Sequence, residues 1–398
     1  MRTVGVVCEY NPFHLGHARQ LALLRQQDPE AAVVCLMSGL YVQRGQPAVF
    51  SRQVRARAAL LAGADLVLEL PVTVSLRSAE GFAAGGVEIL DRLGVEGISF
   101  GAETADRETL LETARQLLSP QFGEALRPHL DEGLSFPAAR SRALKDLGGD
   151  PAVLERPNDI LAVEYCKALL QKKSAIRPLT VHRAGTPYHG TDLVGAQPSA
   201  TLLRTLLRSG ERDRALALMP PAVRRVYEAE EAAGRAPVFL ENAERAMLAR
   251  LRSMTEADFA RLDEGREGLY GRLYETSRSA CSIEALLDET KTRRYARTRL
   301  SRMVLWAYLG LTPADIPAHV PYLRVLAANS RGRALLGRMR ETARLPVLTK
   351  PAAVRTLDAA AQRLFALEAR AANLYTLAYP ELRAAVGGAL WRETARML

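Results

Sequence analysis

The first two hundred or so residues alternate short valine- and leucine-rich runs with longer stretches whose apolar positions recur at helical spacing. Segments 3–8, 32–37, 66–70, 97–100 and 179–182 are nearly continuous apolar runs, the pattern of strands buried on both faces. Helical periodicity fills the gaps, as in 18–26, 52–61 and 78–93. Such alternation predicts an α/β fold with a parallel sheet and helices on both sides. In that architecture ligands sit beyond the carboxyl ends of the strands. Segments 11–17, 38–45 and 100–103, which each follow a strand or close one, are therefore expected around one crevice. Residues 105–175 read as a helical insertion before the last strand, broken at 148–151 and 156–157. Beyond about 212 strand signals nearly vanish, with breaks at 219–221, 310–321 and 345–351. The expectation is an α/β domain over 1–210, with its insertion at 105–175, followed by an all-helical domain over 211–398.

A chain of 398 residues is long for a single core and fits two domains. Its 48% apolar and 25% charged content is that of an ordinary globular protein. The net charge of +10 favours a polyanionic partner such as nucleic acid. Cys8, Cys35, Cys166 and Cys281 are scattered, and two of them fall in valine-rich strands, which suits a reduced, cytoplasmic protein. No run approaches the roughly 18 apolar residues that a membrane span needs, and the opening valine run reads as a strand.

Candidate chemistry is densest where the first strand ends. Asn11-Pro12-Phe13 leads into His14-Leu15-Gly16-His17, which opens an amphipathic segment. N–H groups at a helix start have no intrahelical partners, and the helix dipole favours an anion there. Gly16 admits a phosphate close to the backbone, and His14 and His17, three apart, share a helical face. Imidazoles so placed suit attack on a nucleotide α-phosphate, where they stabilise charge on the phosphoryl oxygens. Two histidines at this spacing could also cap a helix or bind metal. No further His or Cys cluster at ligand spacing follows, so no protein metal site is expected. Neither Gly-x-Gly-x-x-Gly nor Gly-x4-Gly-Lys-Ser/Thr is present.

Further along, Arg44 stands in a glycine-bounded loop and could hold a carboxylate or phosphate bidentately. Gly101 follows a strand and offers bare backbone, Asn158 precedes a helix, and Arg183 ends the last predicted strand. Ser199 and Thr201 open a helix with Arg204 one turn on, either an ordinary cap or a second phosphate site. Segment 291–302 carries six Lys/Arg and no acid. On one continuous helix Lys291, Tyr295, Arg299 and Arg302 would share a face, opposite a buried stripe of Ala296, Leu300, Met303, Val304 and Ala307. A basic face with an aromatic among its arginines suits RNA.

Asn-Pro-Phe-His-x-Gly-His resembles the HxGH superfamily of nucleotidyltransferases, with its Rossmann-like (HUP-type) fold. The blocks 37–48, 62–71, 100–103, 157–161 and 291–299 narrow the resemblance to the bacterial tRNA(Met) cytidine acetate ligases, in that family's order. Leu40 and Gln46 depart from the asparagine and glutamate of the family wording, and Leu203 replaces an isoleucine. The resemblance implies an ATP-dependent ligase. Acetate attacks the α-phosphate of ATP to give acetyl-adenylate and pyrophosphate. The exocyclic amine of the wobble cytidine of elongator tRNA(Met) then takes the acetyl group, giving N4-acetylcytidine and AMP. It further implies catalytic roles for His14, His17 and Arg204. ATP contacts are implied for Val7, Cys8, Glu9, Tyr10, Asn11, Pro12, Phe13, Gly16 and Gln20 with both histidines, and for Gly101, Asn158, Arg183, Ser199 and Thr201. Substrate or tRNA contacts are implied for Arg44, Lys291, Arg293, Arg294, Tyr295, Arg297, Arg299 and Arg302. ATP is the co-substrate, with Mg²⁺ as companion of its phosphates. The alternatives are a small-molecule HxGH nucleotidyltransferase that never touches RNA, and a non-catalytic RNA-binding protein with a nucleotide sensor. The acid pocket has no signature readable in the sequence.

Overall fold

The five apolar runs of the first half lie side by side, in a computed structural model that describes residues 2–103, 106–182, 198–262, 268–292 and 295–398. Strands β1 (Thr3–Cys8), β2 (Ala32–Ser38), β3 (Leu66–Leu70), β4 (Gly97–Ala102) and β5 (Arg177–His182) stand in the order β3-β2-β1-β4-β5. Every pairing among them is parallel. The chain winds outward from β1 to β3, then crosses back to lay β4 on the other side of β1. That reversal opens a crevice at the carboxyl ends of β1 and β4.

The helices used below are α1 (Leu15–Gln27), α2 (Arg52–Leu61), α3 (Ala79–Leu93), α4 (Pro157–Lys172), α5 (Ala200–Arg208) and α6 (Arg297–Leu309). Alternation along β2 sends Ala32, Val34 and Leu36 into one core and Val33, Cys35 and Met37 into the other. The first core is filled by α3 and α4, through Phe82, Leu90, Val163 and Tyr165. The second holds Leu21 and Leu24 of α1, Ala56 and Ala59 of α2, and Leu203 of α5. Local signals set the helix ends. Ser78 Oγ accepts from Gly81 N to cap α3, and Gly94, at φ +74°, ends it. Three helices of the expected insertion, Arg107–Leu118, Pro120–Asp131 and Phe136–Asp146, precede α4 between β4 and β5.

The second half is mostly helical, but the expectation of an all-helical region needs one correction. Strand β6 (Leu323–Ala328) runs antiparallel to β3, and β7 (Val347–Leu348) and β8 (Arg396–Met397) pair parallel with β6. All six residues of β6 are buried. So short an apolar run shows no period by which strand and helix can be told apart. The two short strands cover the outer edge of β6, which would otherwise present unpaired backbone groups. Both cores draw on both halves of the chain: Tyr227 and Leu326 enter one, Leu300 and Phe365 the other.

Two buried arginines pin this frame. Arg55 is wholly buried and donates to the carbonyls of Phe50 (2.9 Å), Glu9 (2.6 Å), Ser38 (3.1 Å) and Gly39. It thereby ties the ends of β1 and β2 to the start of α2. Arg52, also wholly buried, meets Glu69 at 3.1 Å and Glu393 at 2.5 Å. Arg324 of β6 closes the same ring, 2.6 Å from Glu69 and 3.1 Å from Glu393.

Candidate active site

At the end of β1 the backbone turns sharply through Tyr10, at φ +47°, a left-handed conformation costly for a residue with a side chain. His14 then caps α1. Its Nδ1 accepts from Gly16 N at 3.0 Å, and His17 Nδ1 accepts from His14 N at 3.3 Å, a reciprocal capping box made by two imidazoles. With both Nδ1 atoms acting as acceptors, the ring N–H of each neutral histidine lies at Nε2. The rings stack with centroids 3.7 Å apart. Gly16 is required by space: a Cβ there would sit 2.9 Å from His14 Cε1 and 3.5 Å from Pro198 O.

That last distance shows how close the two motifs come. Pro198 and Ser199 open α5, whose first turn is capped by Ser199 Oγ accepting from Leu202 N at 3.2 Å. Arg204, one turn in, donates to Asn11 O (2.8 Å) and Thr201 Oγ1 (3.1 Å). Burial, with Arg44 nearby, lowers its pKa, but a guanidinium stays charged. Two helix starts, two imidazoles and an arginine thus converge beside the carboxyl end of β1. Asn11 Oδ1 accepts from Val49 N at 2.7 Å, and Phe13 N donates to Tyr227 Oη at 3.0 Å, so the turn is held from below.

The cleft encloses about 720 Å³. Of the residues expected at a nucleotide site, Val7, Cys8, Glu9, Tyr10, Asn11, His14, His17, Gln20, Gly101, Asn158, Ser199, Thr201 and Arg204 line it, as does Arg44. Gly16 does not line it but packs against His14, which does. Pro12 and Phe13 do not line it: both are buried, and Phe13 packs on Tyr10 and His17. Arg183, Arg293 and Arg294 lie outside the described residues. Gln20 Nε2 donates to Ser99 Oγ at 3.3 Å. Asn158 Nδ2 donates to Glu103 Oε1, and Asp159 Oδ1 accepts from Glu103 N at 2.7 Å, locking the start of α4 to the end of β4.

The opposite wall was foreseen only in part, through Phe100 of segment 100–103. Phe82 from α3, Phe100 from β4 and Leu161 and Tyr165 from α4 form an apolar side to the cleft, with Gln43, Gln46 and Thr298 at its rim. Gln43 and Glu103 sit in blocks singled out in the sequence, but nothing in the local sequence marks Phe82 or Tyr165. Glu9 stands between the walls, half-buried, with Oε1 accepting from Gln43 N at 2.6 Å. Burial raises its pKa, against the pull of Arg204, Arg44 and Arg55.

The basic segment also departs from expectation. The helix starts only at Arg297, so Lys291 and Tyr295 precede it and no single helical face unites the four residues. Tyr295 is buried with Arg299 stacked 5.2 Å over its ring, and Arg302 is buried and donates to Gln43 O at 3.4 Å. Arg297 pairs with Glu284 and Asp288. Ala296, expected in the buried stripe, is exposed, whereas Leu300, Met303, Val304 and Ala307 are buried as expected. The start of α6 lies against the cleft because Gly45, at φ +75°, lets the loop after β2 press on it. A Cβ at Gly45 would fall 2.5 Å from Arg302 N.

The family model described as HIGH Nucleotidyl Transferase matches residues 1–387. The tRNA(Met) cytidine acetate ligase of Acetivibrio thermocellus is 35% identical over 396 residues, covering 95% of each chain. The chain belongs to the tRNA(Met) cytidine acetate ligase family. The Caldicellulosiruptor saccharolyticus ligase is 36% identical over 96% of this chain and 95% of its own. Thermotoga maritima TmcAL, solved bound with alpha-thio ATP, superposes with a TM-score of 0.90 at 31% identity over the whole of both chains. Its apo form gives 0.93. The Rossmann-like nucleotidyltransferase fold of an enzyme in this family is thereby established for the chain.

Proposed function

We propose that the protein condenses acetate with ATP to acetyl-adenylate and pyrophosphate, then transfers the acetyl group to N4 of the wobble cytidine of elongator tRNA(Met), releasing AMP. The observation that carries this reading is the convergence of the starts of α1 and α5 at the strand-order reversal, with His14, His17 and Arg204 on one cleft. Charge that builds on the α-phosphate as acetate attacks would meet His14 and His17, while Ser199, Thr201 and Arg204 face the outer phosphates. Val7, Gly101 and Asn158 would hold the nucleoside. Acetate itself is the nucleophile, so no activated side chain is needed.

Mg²⁺ would enter with the triphosphate. The acidic residues lining the cleft, Glu9 and Glu103, are both engaged in backbone hydrogen bonds, and the described residues offer no cluster of three His, Cys, Asp or Glu. Such an ion would be carried by phosphate oxygens and water.

The tRNA would lie across the second half, with the anticodon reaching the cleft past the start of α6. Lys291 and Arg44, both exposed, and Arg299 are the cations placed to guide it. No helix among the described residues is long and apolar enough to cross a membrane. Use of ATP and tRNA would put the protein in the cytoplasm.

The test is acetate-dependent exchange of labelled pyrophosphate into ATP without tRNA. Exchange that rises with acetate and saturates is expected. Exchange indifferent to acetate would overturn the reading.

A further inference from the structure

The cleft holds one titratable oxygen that the reaction described above leaves unused. Glu9, the residue after β1, is half-buried and lines the cleft. Its Oε1 accepts from Gln43 N at 2.6 Å, whereas Oε2 has neither hydrogen bond nor ion pair among the described residues and stays accessible from the cleft. Among the described side chains lining the cleft, no other is placed to take up a proton. Glu103 has both oxygens committed, Oε1 to Asn158 Nδ2 and Oε2 to Asp159 N at 3.1 Å. Each imidazole has its Nδ1 occupied and, when neutral, its proton on Nε2. Burial keeps the Cys8 thiol and the phenols of Tyr10 and Tyr165 protonated. Glu9 also stands where two sides of the site meet. Arg204, Arg44 and Arg55 all lie close enough to favour its charged form. Gln43, which it holds, accepts on its carbonyl from Arg302 Nη1 of α6 at 3.4 Å. The carboxylate is therefore set between the cations of the phosphate side and the first turns of α6, past which the tRNA would reach the cleft.

The second half-reaction has a proton to lose. The exocyclic amine of cytosine shares its lone pair with the ring, so it becomes an acyl nucleophile only as a proton leaves it. Resting on the function proposed above, we infer that Glu9 is the general base of acetyl transfer, its Oε2 taking a proton from N4 of the target cytidine. As N4 bonds to the acetyl carbon, the bond from that carbon to the phosphate oxygen breaks and AMP leaves with the electron pair. The N4 proton passes to Glu9 Oε2 and from there to water. Adenylation needs no such base, because acetate attacks as an anion. Burial lifts the Glu9 pKa against the pull of the three arginines, and a higher pKa makes a stronger proton acceptor.

The test uses full-length protein and follows the two half-reactions separately. Acetate-dependent exchange of labelled pyrophosphate into ATP reports adenylation. Protein charged with ATP and labelled acetate, then mixed rapidly with bulk bacterial tRNA, gives the rate of acetyl transfer in a single turnover. Glu9→Gln keeps an oxygen for Gln43 N but removes the base, and should slow transfer at least about 10²-fold more than it slows exchange. Its affinity for tRNA, measured by gel shift, should stay within about two-fold of wild type, so that the loss falls on the rate and not on binding. Equal losses in the two half-reactions would make Glu9 part of the ATP site, and undiminished transfer would give the proton to the departing AMP; either overturns the inference. Absence of acetate-dependent exchange in wild type would instead overturn the functional reading beneath it.

Discussion

At the start of α1, two imidazoles do the work that a serine and a glutamate do in most capping boxes, and this fixes their chemistry as well as the helix. Each Nδ1 is committed to a backbone N–H, at 3.0 and 3.3 Å, so in each neutral ring the donor is Nε2. Arg204 is held by Asn11 O and Thr201 Oγ1 before any ligand binds. Donors fixed in advance need no reorganisation as charge develops. Replacing His14 and His17 together by alanine should lower acetate-dependent pyrophosphate exchange by about 10³-fold or more, since one such donor is worth roughly 10²–10³. Binding of tRNA, measured by gel shift, should change little, because neither ring lies on the exposed basic surface. These residues were legible in the sequence, since a helix-start motif is local and its chemistry is carried by consecutive letters. Phe82 and Tyr165 were not: each reads as an ordinary core position of its helix, and only the packing of α3 and α4 against β4 brings them into the cleft.

Among the elements, β3 is where charge is most concentrated in the interior. Glu69 bridges Arg52 and Arg324, and Glu393 bridges the same two guanidinium groups from the far end of the chain. Glu368, buried beside them, accepts from Val72 N at 2.5 Å. Three carboxyls then face two guanidiniums, and one proton relieves the imbalance. Desolvation, with Glu69 beside it, pushes Glu368 up from 4.5 to about 8. The folded chain thus holds a proton that the unfolded chain has released. The resulting stability is full below about pH 4.5 and declines as pH rises toward about 8. Glu368→Gln should flatten this slope, making the variant more stable relative to wild type at about pH 8 than at about pH 5, by on the order of a few kcal/mol. Urea unfolding at the two pH values measures it, and parallel curves for the two proteins would refute the assignment. None of this cluster was legible beforehand, because its members are spread from Arg52 to Glu393 and meet only through the sheet.

For the whole molecule, the alternation of apolar runs and helical periods located β1 to β5 and the crevice they make, since βαβ units bury strands on both faces and so write continuous apolar runs. The same logic fails for β6, a lone short run amid helices, and for β7 and β8, of two residues each. Their pairing makes the second half part of the first half's sheet, and α6 brings the basic segment to the mouth of the cleft. The residues expected to carry RNA divide accordingly: Tyr295, Arg297 and Arg302 serve packing and ion pairs, while Lys291 and Arg44 remain exposed. The cleft and the start of the basic segment thus share one frame, which is what the proposed coupling of adenylation to RNA acetylation requires. The most direct test of that claim supplies the protein with ATP, labelled acetate and bulk bacterial tRNA, then digests the RNA to nucleosides. Label recovered as N4-acetylcytidine, with one AMP released per acetyl group, is the predicted result. Formation of AMP and pyrophosphate with no label in any nucleoside would contradict it.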